Sequence, residues 1–263
     1  MRMRVAVIDA RMLTCTSRSS QRLMLSASNM PTPSNRPDYS QPTTILVLPA
    51  FTVVENVTPP AVPSLITKYI SRAPTTSDPL GPVALPKSIP SSRSAVGDMV
   101  ARPSPHRAVV LLCSHRTRDA RCGQSAPLIK KELERHLRAL GLDRDLDDER
   151  PGGVGIYFVN HVGGHKYSAN MMVYRRPDAF GIDDVQRAKL PPGQEPQLVK
   201  PMDAEGEGAE ARDVGAAQCI WLARVRPEDC ENIVRYTILQ GKVVKGDKQL
   251  RGGFDRTTGM ISW

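Results

Sequence analysis

Two cysteines and two histidines carry the clearest chemistry in this sequence of 263 residues. Cys113 and Cys122 are separated by eight residues, and His161 and His165 flank a Val-Gly-Gly triplet. Thiolate and imidazole groups bind Zn²⁺ in structural sites of the Cys2His2 type, and they also bind [2Fe–2S] clusters in which two His replace two Cys. These four residues therefore predict a metal centre.

The spacing leaves the kind of centre open. Structural zinc sites usually have only about two to four residues between paired cysteines, so a gap of eight is wide for zinc. Rieske-type centres interleave Cys with His, whereas here both cysteines precede both histidines. A zinc-stabilised structural or interaction module remains one alternative. A thiol oxidoreductase that uses Cys113 and Cys122 as a disulfide pair is another, and a chain without any such site is a third.

The elements around these residues predict a mixed α/β unit over residues 108–263. Ala108–Cys113 is a short continuous apolar run typical of a buried strand, and Ser125–Leu140 has helical spacing with Ser125 as its N-cap. Further strands are predicted over Gly155–Asn160, Ala169–Tyr174 and Cys219–Val225, and a further helix from Pro227. The order β-α-β-β-β-α favours a thioredoxin-type sandwich, with both histidines in a tight loop between two strands.

The rest of the chain predicts little core. Residues 1–43 are rich in Arg and Ser and predict a disordered tail, whose composition resembles that of a mitochondrial transit peptide. Residues 44–72 predict a short β-α remnant of an N-terminal lobe, and residues 73–107 a Pro/Ser-rich linker. Residues 178–218, rich in Gly, Pro and Glu, predict an insertion loop. The N-terminal region is therefore expected to be poorly structured.

Composition excludes several classes of protein. The 36 basic and 27 acidic residues give a net charge of +9, but no basic block is interleaved with aromatic residues, which argues against a nucleic-acid surface. No stretch approaches the roughly 20 apolar residues of a membrane-spanning helix. Five scattered cysteines are an odd number, which argues against a disulfide scaffold and favours metal or thiol chemistry.

Longer stretches of the C-terminal half resemble the sucrase/ferredoxin-like family of thioredoxin-like [2Fe–2S] proteins. They are CSHRTRDARCGQSAPLI, NHVGGHKYSANMMVY, IWLARVRPEDCENIVRYTILQGKVV and LRGGFD. The stretch TILVLPAFTVVENVTPPAVPSLI resembles part of the family's N-terminal region, which is abbreviated here. The resemblance implies a thioredoxin-like ferredoxin domain in which Cys113, Cys122, His161 and His165 hold a [2Fe–2S] cluster.

The resemblance also implies electron transfer to an unknown redox partner rather than conversion of a substrate. Imidazole ligands have a second nitrogen that can hold a proton, so the reduction potential is expected to depend on pH. No pair of carboxylates suited to glycoside hydrolysis supports the word "sucrase". Four basic residues near the predicted ligands either dock an acidic partner or are solvated loop charges: Arg116, Arg118, Arg121 and Lys166.

The last three residues, Ile261, Ser262 and Trp263, resemble the C-terminal tripeptide that the cytosolic iron–sulfur targeting complex recognises. An indole anchor beside a terminal carboxylate forms a suitable recognition pair. This resemblance predicts a cytoplasmic protein that binds the targeting complex, and the composition of the N-terminus makes mitochondria the alternative.

Overall fold

The computed structural model describes residues 5–9, 23–33, 41–90, 97–162, 166–183, 189–195, 197–199 and 213–260. Its strands are β1 (Val5–Asp9), β2 (Met24–Ser28), β3 (Thr43–Leu48), β4 (Thr52–Val57), β5 (Ser88–Ile89), β6 (Met99–Pro103), β7 (Ala108–Cys113), β8 (Asp143–Arg144), β9 (Val154–Val159), β10 (Met171–Arg175), β11 (Gln218–Leu222) and β12 (Leu250–Asp255). Its helices are α1 (Val62–Lys68), α2 (Ala120–Ala139), α3 (a composite of Pro227–Asp229, Cys230–Asn232 and Ile233–Ile238) and α4 (Gly246–Gln249). None of the described helices is both long enough and apolar enough to cross a membrane.

One mixed sheet runs through the described residues in the order β12-β11-β10-β7-β9-β2-β1-β3-β4-β6-β5. In its C-terminal half, β7 and β9 are parallel, β10 is antiparallel to β7, and β11 and β12 continue the antiparallel pairing. Helix α2 connects β7 to β9, and α3 follows β11. The predicted mixed α/β class is therefore confirmed, and the predicted order β-α-β-β-β-α is present, with the short strand β8 added before β9 and with α4 and β12 added after α3.

Strand β7 lies in the middle of this half and is covered on both faces. Val110 shares one apolar cluster with Ile129 and Leu133 of α2. Leu111 and Cys113 face the opposite cluster. A strand that is buried on both sides has to be apolar at every position, which is why its sequence is a continuous apolar run instead of an alternating one.

Helix α2 begins five residues earlier than the sequence predicts. Its N-cap is Asp119, whose carboxylate accepts a hydrogen bond from the backbone N–H of Arg121, and not Ser125. The buried positions Cys122, Ala126 and Ile129 continue the apolar face of the helix back to its first turn. Cys122 therefore lies in a helix rather than in the predicted loop.

The N-terminal segments contribute more structure than the sequence indicates. Strands β1 and β2 lie within residues 1–43, and β5 and β6 lie within residues 73–107. Residues 44–72 contain β4, α1 and most of β3. Strands β2 and β1 lie between β9 and β3, and β6 and β5 form one edge of the sheet, through tertiary pairing that local propensity does not reveal. In the predicted insertion, the structure describes residues 178–183, 189–195, 197–199 and 213–218, and no strand precedes Gln218 among them.

His106 follows β6 and predicts a pH-dependent stability. The side chain is 3% exposed, its Nε2 is 2.8 Å from the hydroxyl of Tyr157, and burial lowers its pKa to about 4. An unfolded histidine has a pKa of about 6.5, so between these two values the unfolded chain binds more protons than the folded one. The free energy of unfolding is therefore expected to fall by up to about 3 kcal/mol as the pH drops through this window.

Urea titrations at pH 7 and pH 4.5 measure this fall, with the variant His106→Gln as the reference. The variant lacks the buried titrating ring, so its stability is expected to change less between the two pH values. An equal loss of stability in both proteins would show that His106 is not responsible.

Candidate metal centre

The two cysteines of the predicted ligand set lie side by side. Cys113 is the last residue of β7, Cys122 lies in the first turn of α2, and both are buried and free of a disulfide. Their side chains belong to the same apolar cluster, and each shifts the pKa of the other. The structure therefore brings these two predicted ligands into contact at the junction between a strand and a helix.

A compact loop between the cysteines makes this contact possible. The backbone N–H groups of Arg118 and Asp119 donate to the carbonyl of His115 over 3.1 and 3.0 Å. The loop packs directly on the first turn of α2, where a Cβ atom on Gly123 would lie 2.6 Å from Cβ and 2.8 Å from Cα of Arg116. Glycine is required at position 123 because a side chain would collide with the loop.

Replacing Gly123 with alanine is therefore expected to destabilise the protein by about 1–3 kcal/mol, through the clash with Arg116. In a helix without this contact, the same change would stabilise by about 1 kcal/mol. Urea unfolding measures the difference, and Gln124→Ala, at an exposed neighbouring position, is the matched control. A variant at Gly123 as stable as the wild type would rule out the close approach of the loop.

Backbone N–H groups surround the two sulfur atoms. The backbone N–H groups of Ala169 and Asn170 lower the pKa of Cys122, and the backbone N–H of His115 lowers that of Cys113. Ala169 has a φ of 51°, an unusual conformation that belongs to the turn presenting these N–H groups. Donors of this kind stabilise negative charge on sulfur and raise the potentials of iron–sulfur centres. The cysteine side thus fits a metal centre that carries negative charge on its sulfur ligands.

The interaction between the two thiols shifts the pKa values of Cys122 and Cys113 in opposite directions. It is the largest influence that lowers the pKa of Cys122, to about 6, and the N–H groups of Ala169 and Asn170 act in the same direction. The same interaction, together with burial, raises the pKa of Cys113. Negative charge in the pair is therefore favoured on Cys122 over Cys113.

His161 lies at the end of the neighbouring strand. Because β7 and β9 are parallel and pair Cys113 with Val159, the chain leaves β9 next to the first cysteine. Strand β2 holds this exit in place: the hydroxyl of Ser26 donates to the carbonyl of His161, and Asn160 and Ala27 exchange two hydrogen bonds of 2.9 Å. The sequence does not reveal this support, because β2 is polar and remote along the chain.

The remaining predicted residues lie outside the described part of the chain. His165 is one of them, as are Ile261, Ser262 and Trp263, so the role of the C-terminal tripeptide and the cytoplasmic location that it implies stay predictions. Among the described residues, no three His, Cys, Asp or Glu side chains are close enough together to hold a metal ion. The structure therefore joins the two cysteines and places His161 on the adjacent strand end.

Two further cysteines are buried away from this pair. Cys219 belongs to the apolar cluster on one face of the sheet, and Cys230 belongs to the cluster on the helical face. Burial raises the pKa of Cys230 to about 12, which keeps this thiol protonated. Both cysteines are core residues, and Cys230 offers a matched control for substitutions in the candidate site.

Comparison with known proteins gives one family match and several relatives. A family model described as sucrase/ferredoxin-like matches residues 4–252. Actin patches distal protein 1 of Saccharomyces cerevisiae is 56% identical over 70 residues, which are 27% of this chain and 22% of that protein. Altered inheritance of mitochondria protein 32 of Clavispora lusitaniae is 27% identical over 184 residues, 70% of this chain and 50% of that protein. The chain thus spans half or less of the length of these relatives, and no solved structure matches it.

Proposed function

We propose, since the chain belongs to the sucrase/ferredoxin-like family, that it is an iron–sulfur redox protein that transfers single electrons. A [2Fe–2S] cluster would be held by Cys113, Cys122, His161 and His165. The observation that carries this proposal is the buried pair of free cysteines, Cys113 and Cys122, which the fold brings into one cluster at the end of β7 and the first turn of α2.

The connectivity of the C-terminal half supports a thioredoxin-like ferredoxin domain for this function. A parallel pair, β7 and β9, is joined by α2, and β10 and β11 extend the sheet on the other side of β7. Helices α2 and α3 contribute to the same apolar cluster, on one face of the sheet. This arrangement puts the turn between Cys113 and Cys122 at the end of β7, a central strand that is covered on both faces.

A bound [2Fe–2S] cluster supplies a one-electron carrier, and the side chains determine how it behaves. Cys113 and Cys122 bind through sulfurs that are shielded from water, and their N–H donors favour added negative charge. His161 and His165 hold a proton on the ring nitrogen that does not bind metal. Added negative charge makes that nitrogen more basic, so the reduction potential is expected to fall as the pH rises.

Replacing His161 with cysteine tests this role of the histidines. A thiolate ligand adds negative charge and has no ring proton, so the variant is expected to have a lower potential that depends less on pH. Redox titrations between pH 6 and pH 9 measure both effects, with His136→Cys, on the surface of α2, as the control. Redox behaviour identical to that of the wild type would remove His161 from the ligand set.

A thiol oxidoreductase is the second candidate function, and the contact between the two thiols favours it. Oxidation of Cys113 and Cys122 to a disulfide would release two electrons and two protons to a disulfide substrate, which would be reduced to two thiols. The low pKa of Cys122, about 6, suits this chemistry as well. The two functions differ in metal content and in the number of electrons transferred per cycle.

A further inference from the structure

Three basic side chains surround the ring of Tyr167, on the turn that leads into β10. The guanidinium carbons of Arg224 and Arg251 lie 3.9 and 4.4 Å from the ring centroid, and Nζ of Lys166 lies 5.4 Å from it. These distances are typical of cation–π contacts, which fix long basic side chains in place. Within the described part of the chain, none of the three forms a salt bridge with a carboxylate.

Two hydrogen-bond donors in the same place also lack partners. The guanidinium of Arg251 lies 5.3 Å from the ring of Trp221, which is 8% exposed. Nη1 of Arg251 and Nε1 of Trp221 are both buried, and no described atom accepts a hydrogen bond from either. A buried donor without an acceptor is unfavourable, so an acceptor from another molecule that satisfies this donor would bind with a favourable free energy. These five residues, Lys166, Tyr167, Trp221, Arg224 and Arg251, are called the Tyr167 cluster below.

The Tyr167 cluster is attached to the turn that contacts the cysteine pair. The backbone N–H of Arg224 donates to the carbonyl of Ser168 over 2.9 Å, and Nδ2 of Asn170 donates to the carbonyl of Tyr167 over 2.5 Å. The carbonyl of Asn170 also accepts a hydrogen bond of 3.0 Å from the backbone N–H of Cys113. Three residues of chain span at most about 11 Å, so a molecule bound at the cluster is close to the sulfurs.

Among the described residues, the charge of one other basic side chain near the candidate site is already neutralised. Arg121, in the first turn of α2, forms an ion pair with Asp119, whereas Arg224 and Lys166 are exposed and lack such a partner. Trp, Tyr and Arg are the residue types that contribute most of the binding energy at protein interfaces, and the Tyr167 cluster contains all three. Guanidinium groups stacked on a ring keep their N–H edges available for carboxylates, and small charged interfaces suit transient electron-transfer partners.

We propose that the Tyr167 cluster is a docking surface for a carboxylate-rich segment of another protein, the redox partner of this one. The docking itself is inferred from the cluster alone. The identification of the bound protein as a redox partner rests on the proposed function, because it depends on electron transfer at the neighbouring cysteines.

A labelled peptide of alternating Glu and Asp residues is the probe for this surface, and fluorescence anisotropy with the full-length protein measures its binding. We expect saturable binding that weakens with added salt and is lowered about tenfold by Arg224→Gln or by Lys166→Gln. The controls Arg72→Gln and Lys131→Gln alter exposed basic residues outside the cluster and are expected to bind like the wild type. Arg224 is exposed, so its variant is expected to fold even where Arg251→Gln does not.

Equal binding by the cluster variants and the control variants would overturn the proposal. So would equal binding of a peptide in which Gln replaces every acidic residue. Inorganic phosphate that binds the cluster as tightly as the peptide would identify a small anion, and not a protein segment, as the occupant. A metal-free protein that still binds the peptide through the cluster would overturn the proposed iron–sulfur function and leave the docking surface supported.

Discussion

Replacing Cys122 with alanine is expected to remove essentially all bound iron and all visible absorbance from the purified protein. Cys122 is the cysteine of the pair whose pKa is lowered, by Cys113 and by the backbone N–H groups of Ala169 and Asn170, so alanine removes the ligand that the fold has prepared most completely. Iron analysis and the visible absorption spectrum measure the effect, and circular dichroism shows whether the variant folds.

Cys230→Ala is the matched control for this experiment. Both cysteines are buried near the start of a helix, but burial keeps Cys230 protonated and places it in the apolar core. The control is expected to retain the iron content of the wild type and to lose only a small part of its stability. A folded Cys122→Ala variant with full iron content would remove Cys122 from the ligand set.

Replacing Arg175 with methionine is expected to lower the free energy of unfolding by about 3–5 kcal/mol. The side chain of Arg175 is nearly completely buried and donates to the carbonyls of Ile238 and Leu239, over 2.6 and 3.0 Å, at the end of α3. It also donates to Gln218 and forms an ion pair of 2.6 Å with Asp183. Methionine fills a similar space but leaves these buried acceptors without their donor.

Urea unfolding monitored by circular dichroism measures this loss. The control is Arg135→Met on the exposed side of α2, where the ion pair with Glu132 is more exposed and its loss is expected to cost less than about 1 kcal/mol. A comparable small loss for Arg175→Met would mean that the buried guanidinium does not hold α3 against β10.

The sequence predicts the centre of this fold well and its periphery poorly. Strand β7 is predicted to the residue, because a strand covered on both faces must be apolar throughout. The start of α2 is misplaced because its first turn contains charged residues and a glycine, and the apolar period becomes visible only when Cys122 is counted as apolar. Strand β2 contains the buried polar residues Ser26 and Ser28, so only its pairing with β1 and β9 reveals it.

The sequence likewise predicts one part of the candidate site and not the other. The types and spacing of Cys113 and Cys122 predict their convergence, because a strand end and the following helix meet in space. The N–H donors of Ala169 and Asn170 depend on a backbone conformation with positive φ at an alanine, which no residue type signals. The Tyr167 cluster brings together residues from the β10 turn, β11 and β12, and only the paired strands place them side by side.

Metal and sulfide analysis of freshly purified full-length protein, together with its visible absorption spectrum, tests the central claim most directly. A cluster between two thiolates and two imidazoles predicts a coloured protein with about two iron atoms and two sulfide ions per chain. A colourless protein with one zinc ion per chain, or a metal-free protein whose Cys113 and Cys122 cycle between dithiol and disulfide, would contradict it.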